Sequence, residues 1–203
     1  MATLHWDAVW TNQKADEVSW FQAEPTLSLQ MIRRVAGPDA GIVDVGGGAS
    51  RLVDHLLDAG YHDLTVIDIA AAAMETARQR LGATAEQVNW VVGDATKFDP
   101  ARTFDVWHDR AVFHFLVDAA DRQRYLTVLR NALAIGGHLV LATFGPDGPE
   151  TCSGLPVRRY GIDSMQDTLG TAFELVDHDV ELHVTPSGRT QRFVYGLFRR
   201  TAA

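Results

Sequence analysis

The chain is 203 residues long, which fits one α/β domain with a substantial core and leaves little room for a second. A formal net charge of −8 gives no broad basic surface for a phosphate backbone, so nucleic acid is not an expected partner. The single cysteine, Cys152, excludes an intrachain disulfide, no run approaches the ~18 apolar residues of a membrane span, and "MATLHWDAVW" lacks a signal peptide's basic region and apolar core. Together these features point to a soluble cytoplasmic protein.

Residues 1–36 read as a helical extension ahead of a main domain, 37–203. Trp6, Trp10 and Trp20 lie in this extension, with Phe21 beside the last. Two uses fit such a cluster. It can dock a helix on the core by its aromatic face, or it can close over a site, with Trp10 and Trp20 among the walls of a substrate compartment.

"GIVDVGGGASRLVDHL", from Gly41 to Leu56, reads as apolar strand, glycine turn and amphipathic helix. Gly46 and Gly48 fit the first two positions of a dinucleotide fingerprint, but the third falls on Arg51, which reads as a solvated helix residue. Leu52, Val53, Leu56 and Leu57 share one helical face, and Gly60 suits a left-handed cap. "LTVID" follows as the second strand, and Ala70, Met74, Ala77 and Leu81 repeat at helix spacing. "VNWVVGD" and "TFDVWHD" are the third and fourth strands. A helix is expected from about Asp118 with Tyr125, Leu129, Ala132 and Leu133 on its face, and "GGHLVLATF" is the fifth strand. Alternation at this spacing implies right-handed crossovers and a mostly parallel sheet. "FELVDHDVELHV" and "RTQRFVYGLF", joined by "TPSG", form an antiparallel hairpin instead.

Ligands of open α/β sheets bind at the carboxyl ends of the strands, and those ends here carry Asp44, Asp68, Asp94 and the pair His108–Asp109. This acidic rim repels a pyrophosphate and suits a cationic ligand. Asp68 lies twenty residues beyond Gly48, where a carboxylate accepts hydrogen bonds from ribose hydroxyls. Asp44 occupies a position that dinucleotide strands usually keep apolar.

The set "DVGGGAS", "VID", "GDATKF", "FDVWHDRAVFHFL" and "AIGGHLVLATF" resembles the ordered motifs of class I S-adenosylmethionine-dependent methyltransferases, over nearly all of the chain from Gly41. The resemblance implies a Rossmann-like, seven-stranded, mostly parallel sheet with helices on both faces and the C-terminal antiparallel hairpin. It also implies Asp44, Gly46, Gly47 and Gly48 near the methionine moiety of S-adenosylmethionine, Asp68 with Ile69 at the ribose, and Asp94 with Ala95 at the adenine. Ala49–Ser50 stands where many members have a further glycine. S-adenosylmethionine carries a sulfonium and an ammonium but no phosphate, so it asks of the loop close backbone approach and a nearby carboxylate.

The expected reaction is in-line methyl transfer to a small-molecule acceptor, leaving S-adenosylhomocysteine, in a monomer or homodimer. The aromatic N-terminus is similar to extensions in some protein-lysine methyltransferases, which leaves that reading open beside a non-catalytic binding module. His108, Asp109 and His114 are candidates for orienting the acceptor or taking its proton. Phe144, Cys152, Arg158 and Tyr160, at the end of strand five and in the glycine- and proline-rich loop after it, join His183 as substrate-side candidates. Cys152 reads as a lining residue, since direct displacement needs no covalent enzyme intermediate. No metal-ligand spacing is present, so no metal is expected.

Overall fold

The computed structural model describes residues 2–201. Helices α1 (Ala2–Asn12) and α2 (Thr26–Val35) precede β1 (Ile42–Val45), α3 (Leu52–Asp58), β2 (Leu64–Asp68), α4 (Ala71–Leu81), β3 (Val88–Val92) and β4 (Phe104–Arg110). There follow α5 (Ala119–Ala132), β5 (Leu133–Phe144), the short β6 (Thr151–Cys152) and β7 (Leu155–Pro156), α6 (Ile162–Leu169), β8 (Phe173–Val184) and β9 (Thr190–Arg200). The seven-stranded sheet has the order β3-β2-β1-β4-β5-β9-β8, parallel except for β9, which runs antiparallel to both β5 and β8. The expected doubly covered sheet and C-terminal hairpin are therefore present.

Strand side chains alternate between faces, and this alternation divides the core. Ile42, Val66, Val106 and Val140 face one layer with Leu29 and Ile32 of α2, Leu52 and Leu56 of α3 and Met74 of α4. Val43, Val45, Ile67, Trp107 and Leu139 face the other with Tyr125 and Leu129 of α5 and Met165 and Leu169 of α6. Each fully buried side chain of this size contributes about 1.5–3 kcal/mol. Trp107 also satisfies its indole by donating from Nε1 to the Tyr125 hydroxyl at 2.8 Å.

Helix α5 begins as expected, with the Asp118 carboxylate accepting from the Ala120 amide at 2.7 Å. Its end differs. Leu133 has extended backbone, φ −89° and ψ 133°, and opens β5 rather than closing the helix face. The long loop after β5 is braced by the β6–β7 hairpin, and amides of Arg158 and Tyr160 donate to the carbonyls of His114 and Phe144 at 2.7 and 2.9 Å. Helix α6 has only eight residues, too few for its apolar spacing to stand out in the sequence.

Candidate active site

The turn after β1 has no room for a side chain at any of its three glycines, and two of them also need a positive φ. Gly46 and Gly48 have φ of 67° and 33°, and a Cβ on them would meet Val112 Cγ2 at 2.1 Å and Asp68 Oδ2 at 2.6 Å. Asp68 anchors the next turn by accepting from the Ala70 amide at 2.8 Å. Burial, reinforced by the Asp44 charge, pushes its carboxyl up to about 7. Asp94 accepts from the Thr96 amide and hydroxyl at 2.9 and 2.7 Å. Burial works to raise the Asp94 carboxyl, but those hydrogen bonds and the Lys97 ammonium outweigh it and hold it below the ordinary value.

A cavity of about 350 Å³ opens over these strand ends. Asp68, Ile69, Asp94, Ala95 and Thr96 wall one side, and Gly46 forms part of its floor. The rest of the lining is largely apolar, with Trp6, Trp10 and Trp20 of the N-terminal extension, Phe115 to Val117 after β4, and Cys152, Leu155 and Pro156 of the β6–β7 hairpin. The aromatics pack edge to face, with ring centroids 5.9 Å apart for Trp6–Trp20, 5.1 Å for Trp6–Phe115 and 6.0 Å for Trp10–Trp20. A smaller cavity of about 50 Å³ continues beneath the glycine turn, lined by Asp44, Gly46, Gly47, Ser28 and His108 among others. Gly48 lines neither cavity but permits the close approach of Asp68.

Arg110, at the end of β4, borders both cavities and ties the extension to the sheet. It donates from NH1 to the Trp20 carbonyl at 3.0 Å, from Nε to the Tyr195 hydroxyl at 2.8 Å and from NH2 to Glu181 Oε2 at 3.1 Å. Gln22 donates to the other Glu181 oxygen at 2.6 Å, and His183 Nε2 donates to the Ser19 carbonyl at 2.8 Å. The segment that links α1 to α2 is thus held at three points, Ser19, Trp20 and Gln22.

The three histidine and aspartate candidates for acid–base work are withdrawn from the larger cavity. His108 is buried, with Nδ1 2.7 Å from Asp44 Oδ1 and Nε2 2.9 Å from Ser28 Oγ, so both ring nitrogens are engaged. Asp109, one residue on, necessarily points to the opposite face and is fully buried, accepting from the Val112 and Phe113 amides at 3.0 and 3.2 Å and the Tyr125 hydroxyl at 2.5 Å. Burial pushes its carboxyl up to about 6. His114 is fully buried against Phe115 and Phe144, with neither ring nitrogen partnered, and burial with the nearby Arg110 charge drives it down to about 3. It is a neutral packing residue.

Of the substrate-side candidates, Trp10, Trp20 and Cys152 line the larger cavity. Burial pushes the Cys152 thiol up to about 11, so it stays protonated at neutral pH. Phe144, Tyr160 and His183 sit behind the wall as buried packing residues, and Arg158 lies exposed over the Tyr160 ring at 5.3 Å, so the contact role expected for these four is corrected. Missing from the sequence reading were Arg110, Ser28 and the Phe115–Val117 wall. The apolar run "FHFLV" was the only signal for the last of these, and it does not say which way the run turns.

Comparison with known proteins agrees with this geometry. Residues 43–139 match the family described as a methyltransferase domain. The nodulation protein S of Rhizobium tropici is 29% identical over 123 residues, covering 61% of this chain and 51% of that protein. The chain spans about half the length of the curated relatives it matches. Among solved structures, the N-methyltransferase NodS from Bradyrhizobium japonicum, in complex with S-adenosyl-L-homocysteine, superposes with a TM-score of 0.74 at 21% identity, over 97% of this chain and 98% of that one. The Burkholderia thailandensis 1,6-didemethyltoxoflavin-N1-methyltransferase gives a TM-score of 0.73 at 21% identity, over 99% and 88%. At such identities these two report the fold alone. With the matched domain, the strand order and the acidic strand ends taken together, the chain is similar to the class I S-adenosylmethionine-dependent methyltransferases.

Proposed function

We propose that this protein binds S-adenosylmethionine and transfers its methyl group to a small-molecule acceptor held in the aromatic-walled half of the larger cavity. The observation that carries the reading is a single cavity lined both by the strand-end acids Asp68 and Asp94 and by a cluster of aromatic and apolar side chains. The residues present suit the cofactor. Asp44 Oδ2 is buried without a hydrogen-bond partner, and Gly46 brings bare backbone to the lining of both cavities.

In this reading Asp68 accepts the ribose hydroxyls, Asp94 and Ala95 flank the adenine, and Gly46–Gly48 with Asp44 receive the methionine end. The bound cofactor supplies a methyl carbon on a cationic sulfur, open to in-line attack by a lone pair. Trp6, Trp10, Trp20 and Phe115 exclude water and present π faces and edges to a cationic centre. Rate then comes mainly from holding the reactants in line. With His108, Asp109 and His114 enclosed, the acceptor brings its own lone pair, as a thiolate, an unprotonated amine or an already ionised oxygen does.

The extension 1–36 serves as the cover of the site. Among the described residues no helix is long and apolar enough to cross a membrane. A cytoplasmic monomer or homodimer with no nucleic-acid partner fits the composition. Incubating a cell extract with methyl-labelled cofactor tests the substrate class: label in the small-molecule fraction supports it, label in protein favours a lysine methyltransferase, and no transfer with intact cofactor binding favours a binding module.

A further inference from the structure

We propose that His108 is a positioning residue for the amino-acid end of the cofactor, acting through Asp44 and braced by Ser28 of α2. The proposal rests on the S-adenosylmethionine reading above and deepens it.

Asp44 and His108 are Cα partners in the parallel β1–β4 ladder, so their side chains leave the same face of the sheet side by side. That face is the layer covered by α2, where Ser28 is fully buried and His108 and Asp44 are nearly so. The chain Ser28 Oγ, His108 Nε2, His108 Nδ1, Asp44 Oδ1 is connected at 2.9 and 2.7 Å. Such a chain fixes the rotation of the Asp44 carboxylate, and with Oδ1 held by the imidazole the second oxygen has one direction left.

Oδ2 lies beneath the glycine turn. A Cβ on Gly47 would come within 2.4 Å of it and 2.8 Å of the carboxyl carbon, and in this structure Oδ2 has no hydrogen-bond partner. A buried carboxylate oxygen without a partner costs free energy unless a ligand completes it. The small cavity at this place, lined by Asp44, Gly46, Gly47, Ser28 and His108, is continuous in its lining residues with the larger one through Gly46, Trp10, Trp20 and Arg110. A primary ammonium brought to the turn is the chemistry that completes Asp44. S-adenosylmethionine and S-adenosylhomocysteine both carry one, and 5′-methylthioadenosine does not.

The arrangement also gives the N-terminal extension a part at the cofactor end. Ser28 stands in the first turn of α2, directly after the segment whose Ser19 and Trp20 carbonyls are held by His183 and Arg110. The same extension that walls the acceptor side therefore orients the carboxylate on the methionine side.

Calorimetric titration of the full chain with S-adenosylhomocysteine and with 5′-methylthioadenosine tests the proposal. His108→Phe, which removes the donor to Asp44, should weaken S-adenosylhomocysteine by about tenfold or more while 5′-methylthioadenosine stays within about twofold. His108→Asn, whose amide nitrogen sits near the place of Nδ1, should recover most of that loss. Ser28→Ala removes one hydroxyl and should give the same selectivity at a smaller, several-fold level, so it carries the test if His108→Phe does not fold. Equal loss of both ligands, no loss of either, or no recovery with His108→Asn overturns the proposal. A wild-type protein that binds neither ligand overturns the cofactor reading itself, which is a separate result.

Discussion

His108 and Asp109 are adjacent on β4 and serve opposite faces of the sheet: the imidazole meets Asp44 and Ser28 in the α2 layer, and the carboxylate meets Tyr125 and two backbone amides in the α5 layer. The Asp109 bonds to the amides of Val112 and Phe113 fold the chain into the short turn that delivers Phe115, Leu116 and Val117 to the cavity wall. Two residues that a sequence reader pairs as one catalytic site thus build two different things. One holds the Asp44 carboxylate beneath the glycine turn, and the other shapes the apolar cavity wall.

Asp68 should make cofactor affinity depend on pH. Its folded carboxyl is raised to about 7, so the empty protein holds a proton there that ribose hydroxyls, which need an acceptor, displace. Affinity for S-adenosylhomocysteine should fall as pH drops through about 7, approaching tenfold per unit at most, and level off above about pH 8. Asp68→Asn should flatten that profile and weaken binding at pH 8 by about 1.5–3 kcal/mol. A wild-type profile flat from pH 5.5 to 8 by calorimetry would remove Asp68 from the site.

His114 should make the fold acid-labile. The unfolded imidazole takes a proton near its ordinary 6.5 and the folded one only at about 3, so the stability it contributes is complete above about 6.5 and is lost as pH falls through that window. His114→Leu, similar in volume and free of the two unpartnered nitrogens, should be at least as stable as wild type at pH 7 and lose less stability by pH 4.5. Urea unfolding at the two pH values measures both, and an unchanged pH dependence in the variant contradicts the assignment.

The N-terminal extension should matter more to turnover than to the adenosine end. Deleting the residues before Pro25 removes Trp6, Trp10 and Trp20 from the wall while leaving Asp68 and Asp94 in place. Methyl transfer should fall at least about a hundredfold as water enters and positioning is lost, with 5′-methylthioadenosine binding nearly intact. Trp6→Ala, which opens the wall at one ring, should show a smaller loss in the same direction. A truncated protein with full turnover would make the extension dispensable.

The sheet was legible because its information is local. Strand alternation, the glycine turn and the acids at or near the strand ends follow from period and spacing, and they account for Gly46, Asp68, Ile69, Asp94 and Ala95. The acceptor wall depends on where irregular segments turn, and no period encodes that. Phe115 is brought in by a turn whose organiser, Asp109, reads in the sequence as a catalytic carboxylate, and Leu155 and Pro156 arrive on a six-residue hairpin inside a loop. Ser28 reaches His108 from eighty residues away in sequence. The opposed faces of His108 and Asp109 were readable from their adjacency in a strand, and the alternation rule applied there would have separated them.

The central claim is that the strand-end acids and glycine turn form an S-adenosylmethionine site. Thermal unfolding of the full chain with saturating S-adenosylmethionine, S-adenosylhomocysteine or NAD tests it most directly, because a ligand that binds only the folded state raises the melting temperature by mass action. A clear rise is expected with both adenosylated ligands and none with NAD. Stabilisation by NAD, with no response to either adenosylated ligand, would contradict the claim.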